Sequence, residues 1–248
     1  MFGEAPLRDE AVAAALRNGW SMPVAALDYR RIGYGSYHWL ATTEEKRRWL
    51  VTADAGDGPF AVRRAYAVAR SLAEAGLEFV RAPQPTSNGR VVVEVGNWVM
   101  SVWAWIEGRS STYGEHATES DLRATLRCLR RLHDCDGLDP SSELVENWEL
   151  DGRAELLELL AGEGWGSGPY AAMARRLVMA GAGKIRHDLA RHDELVDATV
   201  AGGIDFVVTH GEPHAGNVVH AKSGPILIDW DTARWAPRER DLLSLIHI

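Results

Sequence analysis

Between Val207 and Trp235 the chain reads VVTHGEPHAGNVVHAKSGPILIDWDTARW, which puts three histidines, a glutamate, an asparagine and two aspartates beside short β-branched runs. Glu212 is of a type that accepts a proton from a hydroxyl. Asn217 and Asp229 offer an amide oxygen and a carboxylate, the hard donors that magnesium selects when water and phosphate complete its shell. These two stand twelve residues apart, and the short KSG link between them reads as a tight hairpin that brings both to one point. Glu212, five residues before Asn217, stands on the same loop. The residue types suit moving a proton off a hydroxyl next to a metal-held phosphate.

The elements that must position these groups are short. IDFVV reads as a buried strand, and NVVHA and PILIDW read as a hairpin. The loop THGEPHAG then lies between strands, with Asp229 at a strand end. Upstream, RRIGYGSYHWLA and RRWLVTAD are strand-like runs separated by the polar TTEEK. PFAVRRAYAVARSLAEAGL predicts a helix from Pro59 that ends at Gly76. GRVVVEVGNWVMSVWAWIEG adds two strands turning near Gly96 and Asn97. From Thr118 onward the pattern becomes helical. Leu122, Leu126, Leu129 and Leu132 form an apolar stripe, with Thr118 or Ser120 as cap. Further helices are predicted over roughly residues 147–160, in YAAMARRLVMA and in IRHDLARHDELVDATV, with AGEGWGSGP as a glycine-rich connector.

HGEPHAGNVV followed by ILIDWD resembles the signature of the aminoglycoside phosphotransferase family, a branch of the kinase-like small-molecule phosphotransferases. The resemblance implies an α+β, bilobal protein-kinase-like fold. A small β-rich nucleotide-binding lobe with one helix would span residues 1–104. A mainly helical lobe, 105–248, would carry the catalytic loop and the substrate region. It implies Glu212 as catalytic base, His210 as the brace of its loop, and Asn217 and Asp229 as Mg2+ ligands. Asp231 and Asp241 match the family's later structural acids. GYGSYHW would be the glycine loop over the phosphates of ATP, through Gly33, Gly35 and Ser36. WAWIEG would be the hinge facing adenine, through the backbone of residues from Trp103 to Ile106, Trp105 included. The implied activity is ATP- and Mg2+-dependent transfer of the γ-phosphate to a hydroxyl of a small molecule, an aminoglycoside or aminocyclitol among the candidates.

The chain departs from the family pattern in three places. Glu212 stands where aspartate is usual, and its extra methylene carries the carboxylate about 1.5 Å further. A displacement of that order can cost roughly 100-fold in rate. Thr52 stands about where the third strand's lysine is expected, and the following helix lacks the acid that would pair with it; Lys46 or Arg63 are the candidates to replace the lysine. Only seven residues follow Asp241, and LSLIHI has the look of an adapter-encoded tail, so the reading expects a C-terminally truncated member. These departures keep open an alternative, a catalytically weak or inactive kinase-like nucleotide-binding protein. A transition-metal site at His210, His214 and His220 is the least favoured reading, because their spacing matches no compact motif and His220 lies on a strand.

Bulk properties narrow the partners. The net charge is −8, and residues 134–163 hold ten acids against one base, Arg153. That bias argues against nucleic acid and suits a cationic acceptor. The longest apolar stretch, NWVMSVWAWI, falls short of the ~20 residues of a membrane span. The N-terminus shows no signal-peptide pattern, and Cys128 and Cys135 are too far apart on a helix, roughly 10 Å, to form a disulfide. A cytoplasmic protein without a membrane or nucleic-acid partner is expected.

Overall fold

The computed structural model describes residues 4–33, 35–55, 59–111, 118–136 and 144–246. Tyr34 of the glycine-loop motif, Asp139 and Glu143 of the acidic segment, and the last two residues of LSLIHI lie outside the described residues. Contacts divide the chain into two compact units, Met1–Val145 with Phe206–Ile248, and Glu146–Asp205.

The first unit opens with α1 (Asp9–Trp20), followed by an antiparallel sheet of order β1-β2-β3-β5-β4. Its strands are β1 (Val24–Arg30), β2 (Tyr37–Thr43), β3 (Arg48–Ala55), β4 (Val93–Val95) and β5 (Trp98–Ala104), and α2 (Pro59–Glu74) lies between β3 and β4 in the chain. Helix α1 and strand β1 lie ahead of every element expected from the sequence. The helix has a legible period all the same: Val12, Ala15, Leu16 and Trp20 follow helical spacing, and all four are buried. Alternation along the strands gives the sheet two different faces. Trp39, Ala41, Val51, Ala53, Met100 and Val102 pack against α1. The register pairs His38 with Thr52 and Thr52 with Ser101, so the opposite face presents these polar residues with Leu50, Asp54 and Trp103. Tyr66 of α2 packs on that face, its ring edge-on to Trp103 at 4.8 Å.

The rest of the unit carries two small sheets. β6 (Gly108–Ser110), β8 (Val218–Ala221) and β9 (Gly224–Leu227) form one, and β7 (Phe206–Thr209) pairs with β10 (Arg234–Pro237) in the other. They share a core with α2 and α3 (Glu119–His133), in which Leu72, Leu129, Leu132, Leu227 and Trp230 are almost wholly enclosed. Thr118 caps α3, its hydroxyl accepting from the Asp121 amide at 3.1 Å. The leucine stripe is turned relative to expectation. Thr125, Cys128, Leu129 and Leu132 are buried, whereas Leu126 is exposed, because three successive spacings of four, three and three drift off one helix face. The last element among the described residues is α7 (Glu239–Ile246).

The second unit is helical, with α4 (Arg153–Ala161), α5 (Ala171–Ala180) and α6 (Ala182–Ala201). Helix α4 starts later than the predicted residue 147. Gly152 sits at φ +74°, and the Asn147 side chain accepts from the Glu149 amide at 3.1 Å, a local turn that competes with helix. Arg153 then clamps Asp193 of α6 with two hydrogen bonds of 2.7 Å. No helix among the described residues is long and apolar enough to cross a membrane. Cys128 and Cys135 are both free thiols.

Candidate active site

Strand β7 delivers the chain into the loop His210–Asn217, and α7 holds that loop from behind. Asp241, fully buried, accepts the His210 amide at 3.1 Å, the Gly211 amide at 2.6 Å and the His133 Nε2 proton at 2.9 Å. Gly211 is required here: its φ is +98°, and a Cβ would lie 2.3 Å from the Arg240 guanidinium. His210 is also fully buried. Its Nε2 donates to the Ile228 carbonyl at 2.8 Å, which leaves Nδ1 to accept the Glu212 amide at 3.3 Å. Burial pushes this imidazole down to about 4, so it is neutral. The ring packs on Trp230 at 4.5 Å, and the His210 carbonyl accepts the Thr232 hydroxyl at 2.9 Å. His210 thus ties together both segments that carry site residues.

The hairpin geometry expected for Asn217 and Asp229 is present. Asn217 ends a 3-10 turn (Ala215–Asn217), and its carbonyl accepts the Ile228 amide at 3.0 Å. Its side-chain NH2 donates to the Glu212 carbonyl at 3.0 Å, which fixes the amide's orientation and spends the NH2 rather than the oxygen. Strand β9 ends at Leu227, earlier than the predicted run through Trp230. The cause is Asp229, whose φ of +66° takes the chain out of extended geometry. A non-glycine residue held there stores of order 1 kcal/mol or more, a pattern that concentrates at functional sites.

Four carboxylates act on one another at this point. Burial, then Asp231, Glu212 and Asp54, pushes Asp229 up to about 7. Asp231 is raised by burial and Glu212, and it shares a hydrogen bond with Asp229. No basic side chain among the described residues counts among the causes of either shift. A concentration of buried negative charge suits a divalent cation, for which Asn217 and Asp229 would be the candidate oxygen donors. Glu212 itself is exposed, with its charge felt by both Asp229 and Asp231. The arrangement suits deprotonating a hydroxyl beside a cation-bound phosphate.

The fourth acid, Asp54, was not among the expected site residues. It lies near the end of β3, two residues beyond Thr52 and on the same face, which strand alternation would have shown. Ser36 of the glycine loop hydrogen-bonds to it, and Tyr66 donates to its other oxygen at 3.2 Å. Gly33 and Gly35 adopt φ of +72° and +85°, conformations that favour glycine. Thr52 is buried and bonded to the Ser101 hydroxyl. Neither candidate substitute for the lysine is in reach of this point. Arg63 is ion-paired with Glu94 of β4, and Lys46 lies in the β2–β3 turn, at the opposite end of the strands from the glycine loop.

The hinge residues divide. The Trp103 side chain is committed to the core, donating to Ser101 at 2.8 Å. Trp105 is partly exposed, and the Arg48 guanidinium lies 5.2 Å from its ring centre. The three histidines of the transition-metal reading do not converge. His220 is on β8, 3.4 Å from Asp121 of α3, while His210 is spent on Ile228.

Comparison with known proteins bears on the family and the fold. The model of a family described as the phosphotransferase enzyme family matches residues 28–248. Protein StrN of Streptomyces griseus is 29% identical over an alignment covering 81% of this chain and 64% of its own length, so the chain spans slightly less than two thirds of that relative. A spectinomycin phosphotransferase, solved with ADP and spectinomycin, superposes with a TM-score of 0.64 at 16% identity, covering 96% of this chain and 73% of the other. An amicoumacin kinase, solved with AMP-PNP and Ca2+, gives 0.59 at 14% identity, with 96% and 68% covered. At these identities the structural likeness carries the fold alone, which is the α+β kinase-like fold that the sequence led us to expect.

Proposed function

Because the chain belongs to the phosphotransferase enzyme family, we propose that it transfers the γ-phosphate of ATP to a hydroxyl of a small molecule. The functional division is a nucleotide-binding lobe over residues 1–104 and a catalytic and substrate lobe over 105–248. The observation that supports this reading is a loop braced by His210 and Asp241, in which the Asn217 amide is bonded to the Glu212 carbonyl and the Glu212 charge acts on Asp229. Glu212 accepts the proton of the attacking hydroxyl. His210 holds the loop in register and, being neutral, adds no charge. Asn217 and Asp229 would hold Mg2+, which supplies charge neutralisation on the transferring phosphoryl group. Gly33, Gly35 and Ser36 offer loop donors to the phosphates, and the backbone around Trp103 and Trp105 faces the base.

A cationic acceptor is supported by the second unit. A cavity of about 670 Å³ there is lined by Glu149, Asp151, Glu155 and Asp197 with Trp148, and also by Arg153, whose charge is paired with Asp193. Solved relatives of the same fold carry spectinomycin or an amicoumacin-type compound in their names. The same reading makes nucleic acid and membranes poor partners and a cytoplasmic location suitable.

The test is ATP consumption with Mg2+ across a panel of amino-bearing small-molecule alcohols. Glu212→Ala should lower kcat by about 10² to 10⁴ with the best acceptor. Equal rates in both proteins would remove Glu212 from the chemistry. A second reading, a nucleotide-binding protein with little turnover, is favoured by one observation: the face of β3 that should carry a lysine carries Thr52 and Asp54. Stabilisation by Mg2+ and ATP without turnover on any acceptor would select it.

A further inference from the structure

In kinase-like sites a strand lysine and a helix glutamate form an ion pair beside the phosphates. Here the corresponding strand and helix, β3 and α2, contribute Asp54 and Tyr66, joined by a 3.2 Å hydrogen bond. The chain of contacts continues outward: Asp54 accepts the hydroxyl of Ser36, in the loop whose Gly33 and Gly35 have left-handed φ. Tyr66 is itself fixed, buried and edge-on to Trp103. So the glycine loop is tied to α2 through serine, carboxylate and phenol, with an anion at the centre where a cation is customary. Asp54 is 7% exposed, and its field reaches Asp229.

We propose that Asp54 is a positioning and specificity-determining residue: it anchors the glycine loop through Ser36 and discriminates against nucleotide phosphates that arrive without divalent cations. The proposal rests on the phosphotransferase reading. Two consequences of one side chain are separable. The hydrogen bond to Ser36 orders the loop for any nucleotide. The negative charge repels bare phosphate and is offset once cations accompany it. An asparagine at this position keeps an oxygen acceptor for Ser36 and deletes the charge, whereas alanine at Ser36 deletes the bond and keeps the charge.

The experiment is calorimetric titration of ADP, with excess Mg2+ and with chelator, into the wild type, Asp54→Asn and Ser36→Ala. In the wild type ADP should bind more tightly with Mg2+. Asp54→Asn should tighten binding of metal-free ADP, so that the ratio of the two dissociation constants falls by about tenfold, a typical effect of one nearby charge. Ser36→Ala should weaken both forms by the same factor and leave the ratio unchanged. A residue that merely supported the fold would change both affinities together. If Asp54→Asn does not fold, Asp54→Ser is read in the same way. A ratio unaltered by removal of the charge, in a protein that binds ADP, overturns this inference alone. A wild type that binds neither form overturns the phosphotransferase reading and this inference with it.

Discussion

The loop after β7 and the loop after β1 are each held by one buried aspartate, yet the two anchors differ in kind. Asp241 receives two backbone amides and an imidazole, and the residue it braces, His210, makes further bonds to Ile228, Glu212 and Thr232. Asp54 receives one hydroxyl from its loop and one phenol from α2. The first anchor holds main chain, so the loop's shape is part of the fold. The second holds a side chain, so the glycine loop can change while the sheet stays as it is. On the proposed reading the contrast is functional, since a base and metal ligands must be held to fractions of an ångström, whereas a phosphate-covering loop must admit and release its ligand.

Breaking the stronger anchor should have the largest effect. Asp241→Ala leaves two buried amides and His133 without their acceptor. We expect a loss of about 3–5 kcal/mol in unfolding free energy by denaturant titration, the range seen when one partner of a buried polar set is removed. A loss below ~1 kcal/mol would mean that the loop keeps its shape by other means and would erase the contrast between the anchors.

The next test uses pH. His210 has a folded-state value of about 4 against 6.5 when exposed, so the unfolded chain binds more protons between those values. The stability this imidazole contributes is therefore complete above pH 6.5 and is lost as pH falls toward 4, to the extent of about 3 kcal/mol. His38 is lowered in the same way by burial. Asp229 acts in the opposite sense, since its raised value of about 7 lets the folded state take up a proton first as pH falls. The wild-type profile mixes these effects, so the readout is the difference between wild type and His210→Gln, measured from pH 7 to 4. That difference should shrink as pH falls. A difference independent of pH would show that His210 titrates alike in both states.

The same contrast explains what is legible in the sequence. Around the β7 loop each residue is constrained by main-chain geometry, and glycine, histidine, asparagine and aspartate at fixed spacing are its trace. The hairpin that links Asn217 to Asp229, and the place of Glu212 on the loop before it, can therefore be read from spacing, whereas their expected roles come from the family resemblance. The sheet's inner face leaves a weaker mark. Asp54 is one acid in a strand, and only the pairing of β3 with β5, together with a loop serine 18 residues earlier and a tyrosine on α2, reveals its role. Long-range hydrogen bonds of that kind have no period to detect. Helix α1 differs again: its amphipathic period is present, but the strand signals after residue 30 are stronger and dominate the N-terminal third. The late start of α4 depends on the left-handed Gly152 and an asparagine turn, local choices that compete closely with helix.

The smallest effect tests the weaker anchor from its far side. Tyr66→Phe removes one neutral donor to Asp54 and keeps the ring packed against Trp103. The loss of stability should be about 1.5–3 kcal/mol, the usual worth of one hydrogen bond to a charged group. Asp54 retains its Ser36 bond in the variant, so the glycine loop stays tied and Mg2+-ADP affinity should change by less than about threefold, under ~0.7 kcal/mol. Amide exchange across residues 31–36 separates the alternatives. If exchange there accelerates as much in Tyr66→Phe as in Ser36→Ala, the helix rather than the carboxylate sets the loop's position. The two anchors would then be alike in reaching through the fold.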